Sequence, residues 1–349
     1  MRLDTSAVRR LAAAAAATAM AASSICFGAS AQASPAGNGI PGYTRADTTV
    51  KPLPRICVGH ALGLVNGVKE TLAHGMDPTG RYSVGRNYPP EDYATPMLWD
   101  RNRATPLNLG GIDDVMHAVN AHGVAVGSGY GTGGWVYLDG KLHQVIGGEP
   151  VAINEKGQMV GGLNLWPSPL AAPARLPLPA GAENGGASDI DDDGTIVGSV
   201  GAADNYVPYV WAKDGTGYPL TVPVYQGAPL QYLRPTAVRN GWVVGYGYPS
   251  GMAPVAVRWD LATGAVEVFP EMEDAHDVNV MGWFVGKGSS GHALMSNGKQ
   301  FKQLPDVFPF AGEFAWNVGY GISDNGRTMA GTVVEDQTWM NRAVKWNCL

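Results

Sequence analysis

One pattern recurs seven times along this chain of 349 residues. Each copy contains an Asn or Asp, a tight turn with glycine and a short run ending in a second glycine, as in residues 118–127, 152–161 and 188–198. The closing glycines are 34 to 47 residues apart, with a mean of 41, at these positions: Gly85, Gly127, Gly161, Gly198, Gly245, Gly286 and Gly331. A repeat of this length indicates a fold built from consecutive, similar units.

Each unit contains four short segments with strand character. In the fifth unit these segments are residues 236–238, 242–244, 254–259 and 265–269. The chain has 48 glycines and only 15% charged residues, which is typical of short strands and tight turns. Four strands per unit of about 40 residues indicate a β-propeller blade. We therefore predict an all-β fold, a seven-bladed β-propeller with four antiparallel strands per blade.

The two ends of the repeat region predict how the ring closes. The seventh unit stops after its third strand, at residues 343–346, whereas residues 50–58 form an unmatched strand before the first unit. We predict that this N-terminal strand completes the last blade by pairing with residues 343–348, which also removes exposed strand edges. The pairing brings Cys57 beside Cys348, and we predict a disulfide between them. The alternative is two unpaired, buried cysteines.

The N-terminus has the pattern of an export signal. Arg2, Arg9 and Arg10 precede an alanine-rich apolar stretch, and Ala31 and Ala33 fit a small-x-small cleavage site. The stretch is too short and too weakly apolar for a membrane span. We predict a secreted protein, with these segments: a signal peptide at 1–33, a flexible N-terminal segment at 34–48 and a single propeller domain at 49–349.

The charge balance argues against polyanionic partners. Residues 1–33 hold three Arg and one Asp, so the remaining chain has 21 basic and 29 acidic residues. It contains no basic run, which makes nucleic acid and anionic membrane surfaces poor candidate partners. We expect a monomer without a cofactor.

The second unit resembles a known family. The sequence Leu107-Asn108-Leu109-Gly110-Gly111, followed by residues 117–120 and 123–127, is similar to the HAF repeat of bacterial extracellular proteins, whose His-Ala-Phe tripeptide is matched here by His292-Ala293-Leu294. The resemblance spans residues 59 to 347. It implies an exported, propeller-like protein and transfers no catalytic residue.

Two motifs have structural and functional interpretations. Asp189, Asp191 and Asp193 match the start of a calcium loop, but the equivalent turns of other units carry few carboxylates, so we favour Asx turns in which glycine supplies a positive φ. We predict no metal site. A second motif places a tryptophan at the end of the third strand in four units, which we interpret as packing between blades: Trp99, Trp211, Trp259 and Trp346.

The connections between strands differ on the two faces of the ring. The turns joining first to second and third to fourth strands are short, and we name their side the short-turn face. The connections on the other side, the long-loop face, are longer and include residues 86–93, 128–134, 162–171 and 246–253. Aromatic rings there could stack on sugars or extended peptides. The alternative is that they cover their own loops. The candidate ligand-binding residues are Tyr88, Tyr93, Tyr130, Trp166, Tyr206, Tyr248 and Trp339.

We therefore expect a non-catalytic binding protein with a glycan or protein ligand on the long-loop face. The alternative is an extracellular polysaccharide hydrolase or lyase, since glycoside hydrolysis needs two carboxyls about 5 to 10 Å apart. A third possibility is a cell-surface interaction module without a small ligand. Candidate carboxylates for the enzyme alternative are Glu91, Asp92, Glu313, Glu335 and Asp336.

Overall fold

The computed structural model describes residues 39–44, 49–65, 67–68, 70–89, 93–109, 112–203, 205–312, 315–335 and 339–349. Within these residues every regular element is a β-strand. The strands form seven four-stranded antiparallel sheets and one two-stranded hairpin, which confirms the predicted seven-bladed propeller. First strands of neighbouring blades contact each other all around the ring, so the first strand of each blade lies innermost.

The strands follow the chain from blade to blade, after an N-terminal strand β1 (Cys57–Ala61). Blade 1 contains β2 (Glu70–Met76), β3 (Tyr82–Tyr88), β4 (Thr95–Asp100) and β5 (Arg103–Pro106). Blade 2 contains β6 (Ile112–Val119), β7 (Ala125–Tyr130), β8 (Gly133–Leu138) and β9 (Lys141–Gln144). Blade 3 contains β10 (Ala152–Ile153), β11 (Met159–Gly161), β12 (Asn164–Trp166) and β13 (Ala174–Arg175). Blade 4 contains β14 (Asn184–Ile190), β15 (Ile196–Ala202), β16 (Asn205–Trp211) and β17 (Gly217–Pro219), and the hairpin β18 (Val224–Tyr225) and β19 (Ala228–Pro229) follows it. Blade 5 contains β20 (Gln231–Arg239), β21 (Trp242–Tyr248), β22 (Val255–Asp260) and β23 (Val266–Phe269). Blade 6 contains β24 (Asp277–Val278), β25 (Phe284–Lys287), β26 (Ala293–Ser296) and β27 (Phe301–Gln303). Blade 7 contains β28 (Val318–Ile322), β29 (Thr328–Glu335) and β30 (Met340–Cys348).

The last blade is completed by the N-terminal strand, as predicted. Its strand order is β28, β29, β30, β1, and Cys57 is the register partner of Cys348. The two residues form a disulfide across a sequence separation of 291. The paired strand begins later than expected: residues 50–56 precede it, and the chain there is held by bonds such as Arg55 N–H to Leu349 O at 3.2 Å.

The closing glycine of each repeat is required by a close approach to the innermost strand. A Cβ on Gly85 would lie 1.9 Å from Leu72 O, and a Cβ on any of the other six closing glycines would lie 2.0 to 2.1 Å from the equivalent carbonyl oxygen. Register shifts typical of β-bulges occur beside this contact in five blades. A bulge adds a residue to one strand and redirects its side chain, so the repeated glycine accommodates an irregular innermost strand.

The Asn or Asp of the repeat closes its own turn and binds the next blade. Asn120 Oδ1 accepts hydrogen bonds from the N–H groups of His122 and Val124, which is an Asx turn. Its Nδ2 donates to Asn154 O in the next blade at 3.1 Å. Equivalent bonds continue around the short-turn face: Asn154 Nδ2 to Asp191 O, Asn240 N to Asp191 Oδ2, Asn240 Nδ2 to Val280 O, Asn279 Nδ2 to Ser323 O and Asp324 N to Pro78 O.

Five tryptophans, and not four, occupy the end of the third strand. Each indole Nε1–H donates, at 2.7 to 2.8 Å, to a carbonyl in the connection that leads into its own blade: Trp99 to Gly63, Trp166 to Ile146, Trp211 to Pro177, Trp259 to Thr221 and Trp346 to Pro305. All five rings are at most 2% exposed. The predicted packing role is therefore confirmed for four of them, and Trp166 is the blade 3 member of the same set.

Part of the segment expected to be flexible is attached to the propeller. Ile40 is buried and packs in an apolar cluster with Leu261, and its N–H donates to Leu261 O at 2.7 Å. The preceding residues 1–38 and residues 45–48, including the predicted signal peptide, lie outside the described residues.

Candidate functional site

The innermost strands surround a central channel. It holds a cavity of about 730 Å3 lined by residues of all seven blades, a size common for small-molecule sites. Tyr206, Tyr232 and Tyr246 line it toward the long-loop face, whereas Glu155 and Arg239 line it toward the short-turn face.

Seven equivalent residues line this cavity, one from each blade, within the innermost strand or, for Val151 and His276, directly before it. Each follows by two positions the carbonyl that approaches the closing glycine. In blade order they are His74, His117, Val151, Ser188, Thr236, His276 and Tyr320. The three histidines and the tyrosine come from blades 6, 7, 1 and 2, which are neighbours around the ring. We name these four residues the histidine side of the channel.

The rings of the histidine side contact one another. The Tyr320 ring centroid is 4.6 Å from that of His276 and 5.8 Å from that of His74. His117 Nε2 lies 3.0 Å from Ser128 Oγ. Burial, reinforced by the charge of Arg86 and the neighbouring histidines, lowers the pKa of His74 to about 3. Both imidazoles near Arg86 are neutral at physiological pH, because burial and Arg86 also lower the pKa of His117 to about 4.

The third histidine lies beside a carboxylate. His276 Nε2 is 3.2 Å from Asp274 Oδ1, and the same oxygen accepts a hydrogen bond from Lys287 N–H at 2.8 Å. The Lys287 ammonium in turn pairs with Glu273 at 2.5 Å and lies over the Trp316 ring. The charges of Lys287 and Glu273 beside His276 therefore compensate each other, whereas His276 Nε2 approaches Asp274 without forming a hydrogen bond.

Two buried carboxyls join innermost strands across blade boundaries. Asp189 accepts a hydrogen bond from Val238 N–H at 2.7 Å, and Asp277 accepts one from Ile322 N–H at 2.8 Å. Burial raises the pKa of Asp189 to about 8 and that of Asp277 to about 7, each shift being reduced by its backbone hydrogen bond. Both groups are positioned as structural links and not as ligands of a cation.

The Arg239 guanidinium contacts three aspartate carboxylates at the end of the channel on the short-turn face. The guanidinium lies 2.6 Å from Asp192, 2.8 Å from Asp324 and 3.7 Å from Asp191, and burial raises the pKa of Asp191 to about 6. The carboxylates of the calcium-like motif thus have separate protein partners, as the Asx-turn interpretation predicts. Within the described part of the chain, no group of three or more His, Cys, Asp or Glu side chains is placed to hold a metal ion.

The free energy of unfolding of the wild type should fall as pH rises from about 4 to about 8, and we expect Asp189→Asn to reduce this fall. The folded pKa of about 8 exceeds the ordinary value of about 3.9, so the folded state binds more protons in this interval and stability falls as pH rises. Below about pH 4 the Asp189 carboxyl is protonated in both the folded and the unfolded state, so the stability that is lost at higher pH is fully present there. Asparagine keeps an acceptor for Val238 N–H but does not titrate.

Urea unfolding of wild type and variant across this pH interval measures the effect. Asp139→Asn, at an exposed turn residue between β8 and β9, is the matched control and should leave the pH profile unchanged. An identical profile for Asp189→Asn and wild type would contradict the assignment.

The exposed aromatic rings segregate to one face. All seven Tyr and Trp side chains that are exposed among the described residues lie at strand ends or connections of the long-loop face: Tyr93, Tyr130, Tyr206, Tyr232, Tyr248, Trp316 and Trp339. Tyr130 and Trp339 are 80% and 60% exposed. The rings of Tyr232 and Tyr246 each contact Tyr248 edge-on, at centroid distances of 6.4 and 6.0 Å.

Six of the seven predicted binding residues lie on or near the long-loop face, and they divide into three groups. Tyr93, Tyr130 and Trp339 are exposed on the long-loop face, and Tyr206 and Tyr248 are exposed beside the channel mouth. Tyr88 is half-buried beneath the Arg86 guanidinium, 5.1 Å from the ring centroid.

Trp166 was assigned wrongly to the long-loop face. It is 0% exposed and belongs to an apolar cluster with Val126 and Met159. Residues 162–171 were predicted to be one long connection, but the short strand β12 lies within this segment. Only residues 162–163 therefore join β11 to β12. The longer segment, residues 167–173, joins β12 to β13 and lies on the short-turn face.

The carboxylates of the enzyme alternative are mostly outside the described residues, which omit Glu91, Asp92, Glu313 and Asp336. Glu335 is described and lies 3.3 Å from the Arg342 guanidinium.

Sequence reasoning missed the histidine side, Arg86, and the exposed rings of Tyr232 and Trp316. Aligning each repeat on its closing glycine and reading back to the bulge would have identified the channel positions. Trp316 lies in the connection between β27 and β28, and Tyr232 lies at the start of β20, so both precede the repeated segments of their blades.

Comparison with solved structures finds other propellers. An oligogalacturonate lyase in complex with manganese is similar at a TM-score of 0.54 and 11% identity, covering 86% of this chain and 99% of that one. YCF48 bound to D1 peptide is similar at a TM-score of 0.50 and 14% identity, covering 85% and 98%. TolB from Acinetobacter baumannii gives a TM-score of 0.37 at 11% identity, covering 80% and 63%. Identities this low show the fold alone. No family profile and no curated protein matches the chain, and no helix in its described part is long and apolar enough to span a membrane.

Proposed function

We propose that this chain is a secreted, non-catalytic binding protein that holds an extracellular glycan or protein on its long-loop face. The segregation to that face of all seven Tyr and Trp rings that are exposed among the described residues carries the proposal. Tyr and Trp combine a large apolar surface with a polar group, which suits them to stacking on sugars and to protein interfaces. Apolar surface gathered on one face commonly marks an interaction site.

The scaffold supports such a role. The Asx-turn bonds tie the short-turn face from blade to blade, whereas the long-loop face carries hairpins and connections of differing length. A rigid ring that presents variable loops is a common arrangement for binding.

Export and family are part of the proposal. The N-terminal pattern fits a signal peptide, and a Cys57–Cys348 disulfide is typical of proteins in oxidising compartments. The repeat resemblance to bacterial extracellular HAF proteins points the same way. We propose that the exported chain acts as a monomer.

Trp339→Ala and Tyr130→Ala should each weaken ligand binding while leaving the melting temperature nearly unchanged. Both rings are exposed, so little packing is lost, whereas truncating an aromatic anchor in an interface typically costs about 1–2 kcal/mol, or roughly tenfold in affinity. A glycan array probed with residues 34–349 identifies a glycan ligand, and cross-linking at the surface of producing cells identifies a protein ligand.

The matched control is Leu170→Ala. Leu170 is an exposed apolar residue on the short-turn face, and its replacement should not change binding. A ligand whose binding survives both aromatic substitutions but is lost with Leu170→Ala would contradict the assignment of the binding face.

A further inference from the structure

Arg234 places a positive charge at the end of the channel on the long-loop face. It is exposed and lines the cavity, and its register partner on β21 is Tyr246, which also lines the cavity. The ion pairs formed within the described part of the chain use other cations. The nearby carboxylate of Asp274, in blade 6, is buried and accepts a hydrogen bond from Lys287 N–H. The Arg234 charge is therefore accessible to a ligand in the channel.

Arg234 occupies a repeat position that is special in blades 4 and 5. It supplies the carbonyl oxygen that approaches the closing glycine, as do five residues that do not line the cavity: Leu72, Val115, Glu149, Asp274 and Val318. In blade 4 the position is held by Gly186, which does line the cavity. A Cβ on Gly186 would have only Gly162 Cα within 4 Å, at 4.0 Å. Open space therefore lies at the blade 4 position next to that of Arg234.

Four tyrosines lie on the same side of the channel, in blades 4 and 5. Tyr206, Tyr232 and Tyr246 line the cavity with Arg234. The Tyr248 ring contacts those of Tyr232 and Tyr246 at centroid distances of 6.4 and 6.0 Å. We name these four tyrosines and Arg234 the tyrosine mouth. Its rings offer flat apolar surface beside hydroxyl groups, which suits stacking on a sugar ring.

The opposite end of the channel is negatively charged. Arg239 is surrounded there by three carboxylates, those of Asp191, Asp192 and Asp324. Glu155 also lines this end, and its carboxylate accepts a hydrogen bond from Ala121 N–H at 3.0 Å. Acidic groups therefore outnumber basic ones at the short-turn end, whereas Arg234 makes the long-loop end positive. An anion is attracted to the tyrosine mouth and repelled from the other end.

We propose that the tyrosine mouth binds an acidic glycan, in which the carboxylate of a uronic acid residue pairs with the Arg234 guanidinium and sugar rings stack on the tyrosines. This inference rests on the proposed function and narrows its ligand to a glycan that carries carboxylates. The planar guanidinium matches a carboxylate in charge and geometry. Ser188 and Ser199 line the cavity on the blade 4 side, and their hydroxyl groups suit a ligand rich in hydroxyls better than an apolar acid.

Titration calorimetry tests the proposal with tetrasaccharides of glucuronate, mannuronate and galacturonate, each compared with its neutral, carboxyl-reduced counterpart. The disulfide-bonded protein of residues 34–349 should bind at least one uronate more tightly than the counterpart. Arg234→Gln should weaken that binding by roughly tenfold to a hundredfold, the effect of losing a hydrogen bond to a charged group. The matched control is Arg175→Gln, because Arg175 is an exposed arginine on the outermost strand of blade 3, and it should leave the affinity unchanged.

A second variant separates stacking from charge. Tyr232→Ala should also weaken uronate binding, and both variants should keep the melting temperature of the wild type, since both side chains are exposed. The proposal is overturned if the wild type binds none of the uronates, if the neutral counterparts bind equally well, if Arg234→Gln has no effect, or if a tetra-aspartate peptide binds as tightly. Equal binding of neutral and acidic glycans that is weakened by Tyr232→Ala would overturn this inference and leave the proposed function intact. Binding that no exposed ring of the long-loop face affects would contradict the proposed function itself.

Discussion

Replacing both Cys57 and Cys348 with Ala is expected to lower the free energy of unfolding by about 3–5 kcal/mol. The disulfide closes a loop with a sequence separation of 291, and chain entropy gives about 4.7 kcal/mol for a 100-residue loop with only slow growth beyond it. The bond also fixes β1 to β30, the pairing that completes the last blade. Guanidinium unfolding of oxidised wild type and the double variant measures the difference.

The control separates the covalent link from the packing of the sulfur atoms. Wild type that has been reduced and kept reduced retains both buried side chains but not the bond, so it should lose most of the same free energy. If reduced and oxidised wild type unfold at the same denaturant concentration, the disulfide does not stabilise the ring.

Trp166→Ala is expected to lower the free energy of unfolding by about 3–5 kcal/mol, the usual cost of truncating a buried aromatic residue. The indole is fully buried, and its Nε1–H satisfies Ile146 O at 2.7 Å. The variant therefore leaves both a cavity and an acceptor without its donor. Urea unfolding followed by circular dichroism gives the value.

Trp339→Ala is the matched substitution at an exposed indole, and surface changes of this kind usually stay within about 0.5 kcal/mol. Equal effects of the two substitutions would show that the distinction between the buried set of five tryptophans and the exposed rings is wrong.

The architecture could be predicted because each blade repeats the same physical requirements. The closing glycine is required where a Cβ would meet a carbonyl oxygen, and the Asn or Asp is required to close the turn and to bind the next blade. These requirements appear in the sequence at a regular period. The missing fourth strand of the last unit and the extra strand before the first then predicted the closure and the disulfide.

The site could be predicted less well, because it depends on where blades depart from the repeat. Trp166 was misplaced since β11 and β12 have three residues each, which moves the long connection of blade 3 to the other face. His74 and His117 were not recognised because they occupy bulges, where the alternation of side chains along a strand is interrupted, and His276 lies directly before the short strand β24. The sequence left open whether the loop aromatics are exposed or cover their own loops, and the structure shows Tyr130 and Trp339 exposed.

The pairing of β1 with β30 has a consequence for the order of folding. Blades 1 to 6 are each made of strands adjacent in the chain, so their hairpins can form soon after the residues are synthesised. The last blade needs two strands that are nearly the whole chain apart, and such distant contacts form slowly. Until they form, the nascent ring is an open arc with unpaired edges, which makes it prone to association with other copies. We therefore expect closure to be the late, rate-limiting step, and the disulfide to make it irreversible under oxidising conditions.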